Sequence, residues 1–197
     1  MGYDASAQSI ALIESRRLSR VDRLSRRRRF VAMSVDVDDR NGVAVTSFAR
    51  RGVGCTWHDI HVLARRDGRW MLLGGGGSGS ADEELLADRP LILATSLDSA
   101  ARSEMNEEQG ASLLWSGSAG GLHDAGSGSG RWPWSGRWIS YSEVRASRAV
   151  ESLTIAGRAL AVPWHGRVVL VWTSRGKQLV TARDRRGQTI GEVFLTR

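Results

Sequence analysis

The amino-acid sequence predicts a mainly β protein of the α+β class, with a leading helix packed on a curved antiparallel sheet and a small β-sandwich or barrel after it. Three patterns carry this expectation. Apolar residues recur at helical spacing over residues 5–27, and period-two alternation runs through residues 30–73 between turn dipeptides. After residue 137, six short strand-like runs follow one another at roughly ten-residue intervals. The organisation expected is a basic helix plus four-stranded sheet over 1–73, a loop-rich Gly/Ser connector with short elements over 74–136, and a small antiparallel β module over 137–197.

On a wheel turned by about 100° per residue, Ala7, Ile10, Ile13, Leu18, Val21 and Leu24 gather on one side of the first segment. Arg16, Arg20, Arg23 and Arg27 fall on the other, while Leu12 points away from the apolar side and Arg17 sits within it. Asp4 or Ser6 is placed to cap the start. The run Arg26–Arg29 suits the negative end of a helix dipole.

The sheet follows. Phe30–Asp38 reads as a strand with Val31, Met33, Val35 and Val37 on one face. Asn41-Gly42 is a hairpin signal, because both residues accept positive φ, and Gly42–Phe48 returns. Thr56–Arg65 and Arg69–Leu73 pair through Asp67-Gly68. Gly74–Ser80 reads as a flexible link, Ala81–Ala87 as a short helical turn, Leu91–Thr95 and Ala111–Trp115 as short strands, and Ser99–Gln109 as helix-compatible. Ser116–Gly130, rich in Gly and Ser, reads as a flexible loop. The last strands expected are Trp138–Val144, Val150–Ile155, Ala159–Val162, Val168–Thr173, Leu179–Ala182 and Thr189–Leu195.

Composition narrows the function classes. The 197 residues are 41% hydrophobic and 25% charged, as in globular chains. No run approaches the roughly 18 apolar residues that a membrane-spanning helix needs. The opening residues lack the basic, apolar, small-residue order of a secretion signal, and Cys55 is the single cysteine, so no intramolecular disulfide can form. The expected location is cytoplasmic. Net charge is +7, and five of those charges come from residues 1–29, where eight arginines face three carboxylates. Lys177 is the only lysine, a bias that bidentate anion binding and GC-rich codon usage explain equally well.

Two features suggest contact surfaces. The arginines Arg16, Arg20, Arg23 and Arg27 would form a cationic helix face suited to an acidic partner, to phosphates or to anionic lipid; the plain alternative is a solvated face. Trp132, Trp134 and Trp138 cluster after the Gly/Ser loop, where indoles supply rigid contact area or cover a core. Chemistry is less complete. His58 and His61 would face opposite sides of a strand, leaving Asp59 and His61 as the one acid–base or two-ligand pair on a shared face. Zinc wants three or four ligands, and no nucleophile elbow or phosphate-loop motif accompanies the serines or the glycine run Gly74–Gly77. The Val62–Trp70 hairpin is generic.

The sequence therefore reads as a non-enzymatic binding or adaptor protein with no cofactor and no metal. Its expected partner is a protein with an acidic surface, met by the arginine face and the tryptophan loop. A nucleic-acid-binding protein is the first alternative, and a small hydrolase or metal enzyme centred on Asp59 and His61 is the second. A homo-oligomer is compatible with the composition.

Overall fold

The computed structural model describes residues 2–80, 85–93, 113–127 and 136–196. Among them the chain is mainly β, with one α-helix at its N-terminus and antiparallel sheets that do not close into a barrel. Helix α1 covers Ala5–Ser15. The strands are β1 (Phe30–Asp38), β2 (Val43–Arg51), β3 (Thr56–Arg66), β4 (Arg69–Ser80), β5 (Leu114–Asp124), β6 (Arg137–Ala146), β7 (Ser152–Ile155), β8 (Arg158–Ala161), β9 (Arg167–Trp172), β10 (Gln178–Arg183) and β11 (Thr189–Leu195).

Three sheets result. The first has the order β1-β2-β3-β4, the middle one β5-β6-β9 and the last β11-β10-β7-β8. The middle sheet lies between the other two along β9. Val169 and Val171 pack toward the first sheet with Val43, Val45, Ile60 and Val62. The alternate residues Val168, Leu170 and Trp172 pack toward the last sheet with Leu153, Ile155 and Val180. All six residues of β9 are buried, as expected of a strand with apolar neighbours on both faces.

The helix is shorter than the sequence pattern suggests. Asp4 caps it by accepting the Ala7 N–H at 3.0 Å. Arg16 ends it in the left-handed region (φ 50°), where its N–H bonds Leu12 O at 2.8 Å. The expected helix over 5–27, with arginines along one face, is thus corrected: α1 contains no arginine. The cause is tertiary. Ile10 and Ile13 pack on Val37, Ala44 and Leu63, whereas Val21 and Leu24 pack over Val31, Met33 and Ala49 beneath Leu85 and Leu86. A straight helix advancing about 1.5 Å per residue could not serve both clusters. Leu12 is also buried, against the wheel reading.

Strand details differ in instructive ways. The register shifts between Ala32 and Ser34, so Met33 is bulged. Val31 then joins the cluster of Met33 and Ala49, while Val35 and Val37 face the helix. That turn of the strand sends Ser34 and Asp36 inward. The first hairpin is a four-residue loop over residues 39–42, in which Asp38 accepts from both the backbone and the side chain of Asn41. Asp67-Gly68 and Ala156-Gly157 are tight two-residue turns with positive φ at both positions. Gly74–Ser80, expected to be a flexible link, is the second half of β4. There a Cβ on Gly75 would stand 1.8 Å from Ile60 O. Part of the expected Ser116–Gly130 loop is β5, where a Cβ on Gly120 would meet the Tyr141 hydroxyl at 2.5 Å. At Gly75 and Gly120 neighbouring atoms already fill the space of a Cβ. The six C-terminal strands fall where the sequence places them.

The free edge of β9 is closed by side chains. Ser34 Oγ accepts the Val169 N–H at 3.0 Å, and Asp36 accepts the Val171 N–H at 2.9 Å. Arg158 from β8 forks onto Asp36 at 3.1 and 2.8 Å and donates to Val171 O at 2.6 Å. One buried ion pair therefore joins all three sheets. Burial raises the Asp36 carboxyl, against the pull of Arg158 and of the Val171 amide. Removing one partner strands the other in a low-dielectric interior, which costs about 3–5 kcal/mol. Arg158→Met is expected to lower the unfolding free energy by roughly 3 kcal/mol in urea titration. The double variant Asp36→Asn/Arg158→Met should cost less than the sum of the singles; strict additivity would show the pair is uncoupled.

Candidate functional site

Among the described residues, arginines without a carboxylate partner gather where β1 and β2 leave the first sheet. The ladder pairs Phe30 with Arg50 and runs one step further, the Arg51 N–H donating to Arg29 O at 2.8 Å. Arg29 and Arg51 are therefore neighbours by register. Just upstream, residues 25–28 close a turn: Ser25 Oγ accepts the Arg28 N–H at 3.0 Å and the Ser25 N–H donates to Arg28 O at 2.9 Å. This turn presents Arg26 and Arg27 to solvent. Just downstream, Gly52 N–H bonds Cys55 O at 2.9 Å across a loop whose tip, Val53, is fully exposed.

These pieces enclose an open groove of about 720 Å³, lined among the described residues by Arg26, Arg29, Arg50, Arg51, Val53 and Trp57 together with two glycines, and by no carboxylate. Arg50 is occupied: it bonds Asp59 at 2.7 Å and lies 5.9 Å from the Trp57 ring centre and 5.7 Å from that of Tyr3. Arg26, Arg29 and Arg51 have no carboxylate within 4.0 Å among the described residues. A second groove shares Arg26 and Arg51 and continues past Asp22, which is paired with Arg20, and past Arg23, Leu24 and Cys55 to Leu86. Such an arrangement can bind an anion; it contains no histidine to move a proton.

The site residues expected from the sequence scatter. Arg16 pairs with Asp39, and Arg20 bonds Asp22 at 3.1 Å and Asp88 at 2.8 Å, so both are used internally. Arg23 lines the second groove. Arg27 is exposed on the Ser25–Arg28 turn. Trp138, on β6, is 45% exposed and packs against His123 at 5.3 Å between ring centres. Trp132 and Trp134 lie outside the described residues. Arg29 and Arg51 escaped the helical-wheel reading. Their signal was the Arg-Arg pair flanking each strand of a hairpin, which the strand register brings together.

Asp59 and His61 do share a face, opposite to that of His58 and Ile60, as their alternation predicts. Their partners are Arg50 and the Tyr3 hydroxyl, which lies 2.6 Å from His61 Nε2. Burial, with Asp59 nearby, raises the Tyr3 hydroxyl, and burial lowers His61. The phenol accordingly stays protonated and the imidazole neutral at neutral pH. No group of three or more potential metal ligands occurs among the described residues.

A second polar cluster is sealed between the sheets. Arg167 Nη1 bonds Glu143 Oε1 at 2.6 Å, and His58 Nδ1 stands 3.4 Å from Glu143 Oε2. His165 Nδ1 accepts the Arg167 N–H at 3.1 Å, which fixes Nε2–H as the donor to Met33 O at 3.0 Å. Burial pushes His165 down to about 4. Between there and the ordinary value near 6.5, the unfolded chain binds a proton that the folded chain refuses. Stability must therefore fall as pH drops from about 6.5 to about 4, by up to ~3 kcal/mol from this group. Urea titrations at pH 7 and pH 4.5 are expected to show that decline in the native protein and a smaller one in His165→Gln. Equal declines would place the titration elsewhere.

No protein-family model matches the chain, and neither a curated protein nor a solved structure matches it.

Proposed function

We propose that this protein is a non-enzymatic, intracellular binding or adaptor protein that holds an acidic protein partner in the groove of Arg26, Arg29 and Arg51. The observation that carries this reading is three guanidinium groups lining one groove with no carboxylate within 4.0 Å of them among the described residues. Elsewhere the fold pairs its buried and half-buried arginines with care: Arg66 and Arg137 with Asp124, Arg158 with Asp36, Arg167 with Glu143. Like charges gathered on one surface repel, so the groove costs stability unless a ligand neutralises it. A guanidinium fork fits a carboxylate through two parallel bonds, which suits an acidic peptide segment.

The exposed Trp57 ring beside the arginines supports the second reading, in which a base of single-stranded nucleic acid stacks there. The two readings part on ligand, and one titration compares them.

A fluorescein-labelled Glu/Asp-rich decapeptide is the probe, followed by anisotropy at rising salt, with an unlabelled single-stranded oligonucleotide as competitor. The account expects peptide binding that weakens with salt and falls at least tenfold in Arg26→Gln/Arg29→Gln/Arg51→Gln. A charge-matched control, Arg175→Gln/Lys177→Gln/Arg186→Gln, should keep its affinity. The groove variant should also unfold at an equal or higher temperature than the native chain. An equal loss in both variants would reduce the effect to net charge, and displacement by oligonucleotide at far lower concentration would favour nucleic acid.

A further inference from the structure

The groove's charge allows a narrower assignment of its ligand. We infer that its anchor is a phosphorylated side chain of the partner, a phosphomonoester dianion rather than a glutamate or aspartate. The inference rests on the acidic-partner reading above and concerns the same site.

The argument is one of charge and donor count. Arg26, Arg29 and Arg51 bring three positive charges and three donor forks to one groove, and among the described residues its lining holds no carboxylate. The fourth guanidinium, on Arg50, is already bonded to Asp59 and so is neutralised, leaving the three others to meet the ligand. A carboxylate offers one negative charge and two oxygens, enough for one fork. A phosphomonoester carries between −1.5 and −2 near pH 7 and three acceptor oxygens, which lets it receive several forks at once. The surroundings fit an ester rather than free phosphate. Val53 is fully exposed and Trp57 is 38% exposed, so apolar surface stands beside the cations for the carbon part of the side chain. The adjoining groove, past Arg23 toward Leu24 and Leu86, gives a chain leaving the anchor a place to lie.

The anchoring residues are dispensable to the fold. Arg29 and Arg51 are tied to the ladder through their backbone atoms, and their side chains are exposed. Substituting them with glutamine therefore probes binding without dismantling the sheet.

The experiment uses the full chain and three degenerate peptide pools, each fixed at one central position as phosphoserine or phosphotyrosine, as glutamate, or as alanine. Retention of each pool on immobilised protein is measured at pH 7.5 and pH 5.0. The expected result is at least tenfold greater retention of the phosphorylated pool than of the glutamate pool, lost in Arg29→Gln/Arg51→Gln. Retention of the phosphorylated pool should fall several-fold at pH 5.0, where the second phosphate proton returns (pKa about 6); that of the glutamate pool should change little. Equal retention of the phosphorylated and glutamate pools would overturn the phosphate assignment and leave the acidic-partner reading standing. Equal retention of all three pools would overturn both. Retention of inorganic phosphate with affinity equal to that of the phosphopeptides would overturn the ester assignment.

Discussion

A single buried carboxylate holds the three sheets in register. Asp36 accepts from the β9 backbone and from a β8 arginine while standing on β1, so it stitches an edge that no strand ladder closes. Strand edges are sites of unwanted pairing, and this one is buried, where an unpaired amide would be costly. Ser34 and Asp36 supply the acceptors that a neighbouring strand would otherwise supply. Everything C-terminal of β9 depends on that closure, because β9 is the face on which the last sheet packs. The bulge at Met33 is what aims both side chains inward, so a local irregularity in β1 determines how the whole chain assembles.

The same hairpin that carries Asp36 at one end carries the arginine groove at the other. Strand pairing between β1 and β2 is fixed by burial along nearly all of β2, and the last step of the ladder then places Arg29 beside Arg51 with no freedom to separate. The backbone beneath these two cations is thereby fixed, which reduces the entropy lost when a ligand binds. The contrast with Arg16 and Arg20 is physical: each of those side chains reaches a carboxylate in a remote segment and is neutralised there. Position on the ladder, more than abundance of arginine, separates a surface available to a partner from one that serves the fold.

How much of this could be read from the sequence depended on the range of the forces involved. The turn at Asp67-Gly68 was legible because positive φ is a local demand that few residues meet. The C-terminal strands were legible because each lies between such turns. The end of α1 was not, since it depends on Val21 packing beneath Leu85 and Leu86, far along the chain. The bulge at Met33 broke a pattern that looked regular, and nothing local announced it. Gly74–Gly79 was misread for a different reason. Composition suggested flexibility, whereas the strand needs glycine where Ile60 O and His58 O stand in the space of a Cβ at Gly75 and Gly77. Of the groove, the cationic character was visible and the particular arginines were not, because the wheel assumed a helix where the chain makes a turn and a ladder.

The claim on which the functional account stands is that the partner sits on the β1–β2 exit and nowhere else. Amide chemical shifts of the isotope-labelled chain, recorded while an acidic or phosphorylated peptide is added, test it most directly. The account predicts changes concentrated at residues 25–29 and 50–57. Changes centred instead on His123 and Trp138, or spread evenly over every exposed arginine, would contradict it.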